Sequence, residues 1–229
     1  MVVGLDHPYD VAAVALGDGA YAVFDPGQWP TESPARQQFF GHRMDERTDD
    51  VSFALDQLEQ MNSEPGPLEG ALDLEHAGIM GHSMGGITAA VACRQDPRLK
   101  ACLNIDGSLA GGPFSARPGD ARPAQPFMYL TKDQTVTESV AAGFKAPGGA
   151  SFRVVVPGAT HIEFADGPLF MPSLDPFARK ADRVIATART YVLAFFDGYL
   201  KGASEPAFED VRVPIKTRVE TYVAGDSGR

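Results

Sequence analysis

The chain has 229 residues, enough for one sizeable core, with 44% hydrophobic and 22% charged residues. Twenty basic against thirty acidic residues leave a net charge of −10. With no basic cluster anywhere, that balance argues against nucleic acid and anionic membrane surfaces as partners. No segment reaches the length of a membrane span, and no basic start followed by an apolar run marks a secretory leader.

Met1-Val2-Val3-Gly4-Leu5-Asp6 reads as a short buried strand. Val11–Leu16 and Ala20–Phe24 flank Gly17-Asp18-Gly19, a hairpin signal. Arg43–Met61 has helical periodicity, with Val51, Ala54, Leu55 and Leu58 on one face, and Ser63–Pro67 is a loop. Further strands are expected at Glu75–Met80, Ala101–Ile105, Pro126–Leu130 and Ser151–Val156, with a helix at Ile87–Arg94. Gly107–Gln125 is rich in glycine and proline and reads as an irregular excursion. Ala178–Lys201 is a long helix with an apolar stripe through Val184, Ala188, Tyr191, Val192, Phe195 and Phe196. Beyond Gly202 the periodicity fades, apart from a possible strand at Val211–Val219. Strands alternating with helices predict a mostly parallel α/β sheet with flanking helices. Cys93 and Cys102 read as small buried hydrophobes rather than as a disulfide or a metal pair.

The chemistry concentrates at Gly81-His82-Ser83-Met84-Gly85-Gly86, placed between a strand and a helix. That is the context of a G-x-S-x-G nucleophile elbow, in which the serine takes a strained conformation at the strand tip. Gly81 and Gly85 are expected to keep side chains away from the neighbouring strand and helix. The helix N-terminus behind Ser83 favours negative charge developing there. A serine hydroxyl needs a base to take its proton and an acid to orient that base. His161, in the loop after the Ser151–Val156 strand, is the best base. His82 lies inside the elbow with its side chain expected to point away from the hydroxyl. His76 begins the elbow strand, His42 lies in a polar stretch, and His7 follows the first strand and could line the cleft. Two acids end strands at the sheet's carboxyl edge, Asp106 and Asp133, and chain position favours neither. No His/Asp/Glu group has metal-ligand spacing, so no metal or cofactor is expected.

The elbow, Asn104-Ile105-Asp106-Gly107 and Gly158-Ala159-Thr160-His161-Ile162-Glu163-Phe164-Ala165-Asp166 together resemble the platelet-activating-factor acetylhydrolase family. The steps of 23 residues from Ser83 to Asp106 and 55 from Asp106 to His161 resemble that family's spacing. The resemblance implies an α/β-hydrolase domain over residues 1–202, with a hairpin insertion near 11–24 and a tail at 203–229. It implies metal-free hydrolysis of short-acyl or acetyl esters, small molecules, through Ser83, His161 and Asp106. Asp133 would then be a bystander, and the Met84 backbone N–H one oxyanion donor. A dienelactone-hydrolase- or cutinase-like enzyme using Asp133 is the rival, and a catalytically impaired fragment or partner subunit the third reading. In the family a second oxyanion donor comes from a loop upstream of Met1–Asp6. Its absence leads to the expectation that Met1 is internal and the chain N-terminally truncated. Localisation is then cytoplasmic as the chain stands, or secreted if the true N-terminus lies elsewhere. Gly107–Gln125 and the hairpin are expected to shape an acyl pocket, with Phe114, Trp29 and Phe164 as candidates for its apolar wall.

Overall fold

The computed structural model describes residues 1–25, 27, 29–108, 124–134, 148–170, 175–202, 208 and 211–222, with the backbone alone for 175–178. It divides into two compact units, Met1–Leu72 and Asp73–Arg229.

In the first unit, β1 (Ala13–Ala15) and β2 (Tyr21–Val23) pair antiparallel, Ala13 opposite Val23. Gly19, at φ +84°, supplies the left-handed residue that the turn needs. Asp18 Oδ1 accepts the Ala20 N–H at 3.0 Å within the same turn. The helix α1 (Ala35–Ser63) starts eight residues before the expected Arg43. Its added turns bring Phe39 and Phe40 against Trp29, and Phe24 also packs edge-on with the indole. One face buries Phe40, Met44, Thr48, Val51 and Leu55. Asp10, almost fully buried, is held by Arg47 Nε at 2.9 Å, which pins the chain before the hairpin to α1. The expected strand at Met1–Asp6 is not formed. Among the described residues no strand pairs with this run, and Met1 and Val2 are 77% and 93% exposed. Apolar composition alone does not make a strand without a ladder partner.

The second unit is an α/β sheet of five strands in chain order: β3 (Ala77–His82), β4 (Leu99–Ile105), β5 (Phe127–Lys132), β6 (Ser151–Val156) and β7 (Arg218–Tyr222). The first four run parallel, and β7 pairs antiparallel with β6. β7 begins later than the expected Val211, beyond Pro214, which has no N–H to give to a ladder. The β6 sequence Ser-Phe-Arg-Val-Val-Val is buried throughout, as a strand covered on both faces must be. The covering helices are α2 (Met84–Gln95) and α3 (Asp175–Leu200).

Side chains alternate along each strand, so β4 divides its residues between the two layers. Leu103 joins Met128, Leu130, Val154 and Val156 against Val184, Ala188, Tyr191 and Phe195 of α3. Each such large side chain contributes about 1.5–3 kcal/mol on burial. Gly78 lets α3 close on β3, since a Cβ there would stand 2.7 Å from the Phe196 ring and 2.8 Å from Leu200.

On the other face, Cys102 meets Cys93 of α2, and the two form a disulfide with Cα atoms 6.1 Å apart. This corrects the reading of two free buried cysteines. Small neighbours on α2, Ala89 and Ala92, bring that helix close enough to β4 for the thiols to meet. Nothing in the two cysteines' spacing announces that approach.

A bridge closing so short a loop should stabilise the protein by about 2–3 kcal/mol. Urea unfolding of Cys93→Ala/Cys102→Ala, compared with the oxidised protein, should show that loss as a lower midpoint. Equal midpoints, or two thiols that alkylate in the unreduced, unfolded protein, would mean that no bridge forms.

Candidate active site

Register decides what meets at the sheet's carboxyl edge. His82 lies opposite Ile105, and Ile105 opposite Leu130. The next residues, Ser83, Asp106 and Thr131, therefore emerge side by side. Ladder bonds continue one step further: Ser83 N–H donates to Ile105 O at 2.9 Å, and Asp106 N–H to Leu130 O at 2.8 Å.

Ser83 has φ 56° and ψ −119°, a strained conformation for a residue with a side chain, and α2 begins immediately after it. The glycines around it differ in what they permit. A Cβ on Gly81 would collide with the Gly85 backbone, and one on Gly86 with Asn104 and Gly81. A Cβ on Gly85 would meet nothing within 4 Å. The elbow thus requires Gly81 and Gly86, whereas Gly85 contributes a backbone that Gly81 must accommodate. This corrects the expectation that Gly81 and Gly85 play equivalent parts.

Asp106 is also at positive φ, 50°, and its side chain is fully buried. The turn after it is fixed by Asn104, whose Oδ1 accepts the Gly107 N–H at 2.7 Å. A Cβ on Gly107 would strike the Ser83 carbonyl, so glycine lets this turn lie against the elbow.

Asp106 Oδ1 accepts hydrogen bonds from Thr131 Oγ1 at 2.7 Å and the Lys132 N–H at 3.2 Å. Oδ2 accepts from Lys132 Nζ and His161 Nδ1, both at 2.7 Å. His161 Nε2 stands 2.9 Å from Ser83 Oγ. Burial pushes the Asp106 carboxyl up. The bonds from Lys132, Thr131 and His161 outweigh burial and leave it below its usual value.

His161 opens a short helical turn, His161–Phe164, whose start is closed reciprocally by Thr160 and Glu163. Glu163 Oε2 accepts the Thr160 N–H at 2.7 Å and pairs with Lys180 of α3 at 3.0 Å. Burial raises the Glu163 carboxyl, but the bonds from Lys180 and Thr160 prevail and lower it. His82 supports His161 from the other side. Its Nε2 donates to the His161 carbonyl at 3.0 Å, and the two rings lie 4.6 Å apart. Burial, then the nearness of His161, push the His82 imidazole below its ordinary value.

Asp133 does not reach this cluster. Its carboxylate is exposed and bonds to Arg218 of β7 at 2.8 Å, which holds it below its ordinary value. His7 pairs with Asp50 at 2.6 Å within the first unit, His42 with Glu46 at 3.4 Å, and His76 with Asp73 at 2.8 Å. Trp29 packs among Phe24, Phe39 and Phe40, and Phe164 belongs to the α3 core. Phe114, and the 109–123 part of the glycine- and proline-rich excursion, lie outside the described residues. Met84 opens α2, where first-turn N–H groups have no acceptor inside the helix. Among the described residues no group of three His, Cys, Asp or Glu side chains could hold a metal ion. None of their helices is long and apolar enough to cross a membrane.

Sequence reasoning missed Thr131, Lys132 and His82 as partners of Asp106 and His161. The signal for the first two was their position at the end of the strand beside Asp106. His82 carried a misleading one, because its elbow position suggested only a side chain turned aside.

The fold is that of the α/β-hydrolases. A ferulic acid esterase from Streptomyces cinnamoneus superposes with a TM-score of 0.68 over 93% of this chain and 63% of that one, at 24% identity. In sequence, the chain is 28% identical over 177 residues to a probable 1-alkyl-2-acetylglycerophosphocholine esterase of Arthroderma benhamiae. That compound is platelet-activating factor, so this relative agrees with the resemblance carried by the three motifs. The match covers 73% of this chain and 41% of the fungal protein's length. No family model matches the chain.

Asp106 and Glu163 both release protons more readily in the folded than in the unfolded chain. Their contribution to stability is complete above the unfolded carboxylate range and is lost as pH falls through the folded values. Unfolding free energy should therefore drop below about pH 4. The slope should be shallower in Asp106→Asn/Glu163→Gln, and a mutant slope as steep as wild type would contradict this.

Proposed function

We propose that this chain carries the reaction centre of a serine ester hydrolase. The observation supporting this most strongly is the unbroken line from Ser83 Oγ through His161 to Asp106 Oδ2, with steps of 2.9 and 2.7 Å. In this reading His161 Nε2 takes the Ser83 proton as Oγ attacks the ester carbonyl. The carbonyl oxygen becomes an oxyanion, to which the Met84 N–H and the α2 N-terminus offer positive charge. Asp106 stabilises the imidazolium, which then protonates the leaving alcohol and leaves an acyl-Ser83 ester. Water, deprotonated by His161, attacks that ester and releases the acid and the free serine. The fungal relative's name supports an acetyl or other short-acyl ester as substrate. The Asp106–His161 contact, with Asp133 turned to Arg218 instead, supports Asp106 rather than Asp133 as the acid. The Cys93–Cys102 bridge supports a working life in an oxidising compartment, the secreted alternative.

The test is intact-mass analysis of the soluble chain after treatment with a fluorophosphonate. A single adduct that disappears in Ser83→Ala is expected. Folded protein with no adduct would favour an impaired relative kept for binding. In ester turnover, Ser83→Ala and His161→Ala should each cost about 10⁶-fold, and Asp106→Asn about 10⁴-fold. Asp133→Asn should turn over as wild type does. Loss of turnover in Asp133→Asn with Asp106→Asn unimpaired would reverse the assignment of the acid.

A further inference from the structure

Two cationic or potentially cationic groups share Asp106 Oδ2: His161 Nδ1 and the Lys132 ammonium, each at 2.7 Å. The proton relay described above makes no use of Lys132. Orientation of the carboxylate does not need its ammonium either. Oδ1 is already held by the Thr131 hydroxyl and by the Lys132 backbone N–H, neither of which depends on that charge. What the ammonium adds is a positive charge beside a base that accepts a proton in every turnover. A cation at that distance opposes the uptake of a proton by its neighbours.

The surroundings leave this role to Lys132. On β3, the His82 ring lies tilted 4.6 Å from that of His161, and burial opposes its taking a proton. On β5, burial raises the Tyr129 phenol, which stays neutral. Arg153 of β6 is engaged with Glu220 at 2.8 Å, and Glu163 beyond His161 with Lys180 at 3.0 Å. Among the described residues, Lys132 is the lysine or arginine that contacts the Asp106–His161 pair.

We propose that Lys132 is a positioning residue that holds the Asp106–His161 pair in its proton-poor resting form, and so extends the site's activity to more acidic pH. The inference rests on the Ser83–His161–Asp106 reading. The lowered Asp106 carboxyl, to which the Lys132 bond contributes most among the favourable causes, is in keeping with it.

The experiment follows the second-order rate of Ser83 modification by diisopropyl fluorophosphate from pH 4.5 to 9. Wild type, Lys132→Met, Lys132→Arg and Asp106→Asn are compared, with a melting curve for each. Lys132→Met should move the acid limb upward by about one pH unit, and Lys132→Arg should keep it in place. If Lys132→Met does not fold, Lys132→Gln, which retains a donor but not the charge, carries the same comparison. An acid limb unmoved in the uncharged variant, or moved equally in Lys132→Arg, overturns the proposal. Asp106→Asn separates the two levels. If it reacts as fast as wild type, the triad reading itself fails. If it collapses while the uncharged Lys132 variant keeps its limb, only the role of Lys132 is lost.

Discussion

The Asp106 carboxylate is the constraint on which the site's geometry depends. It is buried, so every lone pair left without a donor would cost free energy, and four donors from two segments converge on it. Thr131 and Lys132 tie it to the end of β5, and His161 ties it to the loop after β6. Such an arrangement exists only if β4 and β5 hold their register. A slip of one residue would turn Asp106 to the opposite face of the sheet. The sheet is thus more than a platform, because its ladder bonds fix the reach of each strand end to within a hydrogen bond's length.

His161 is constrained as tightly by its backbone as by its ring. The reciprocal bonds of Thr160 and Glu163 shape the turn, Lys180 anchors that turn to α3, and His82 occupies the carbonyl. A side chain held in this way has little conformational freedom left to lose, which is the sense in which a site is preorganised. The elbow shows the same economy: the strain at Ser83 is maintained by Gly81, Gly86 and Gly107, each a place where backbone must approach backbone.

Much of this was legible in the sequence. β6 was placed residue for residue, and the α3 stripe met the core as its periodicity required, because both signals are local and strong. Ser83 and His161 were legible as candidates because each ends or follows a recognisable strand, and Asp106 as one of two acids at such strand ends. What stayed hidden depends on packing between elements. Met1–Asp6 has the composition of a strand but no partner. The Cys93–Cys102 pair depends on how closely α2 approaches β4. Asp106 and Asp133 end neighbouring strands, and local pattern could not say which one turns inward. Lys132, one residue before Asp133, looked like an ordinary charged residue at a strand end, yet its charge lies at the centre of the cluster.

The disulfide has a consequence for the order in which the second unit comes apart. It joins the helix that begins after Ser83 to the strand that ends before Asp106, across a separation of nine residues. Whatever peels away first, β7 or the turn that bears His161, the carriers of Ser83 and Asp106 stay covalently tethered. A local opening that frees the turn bearing His161 therefore leaves Ser83 and Asp106 on tethered elements, and reclosure starts from two parts that have never separated.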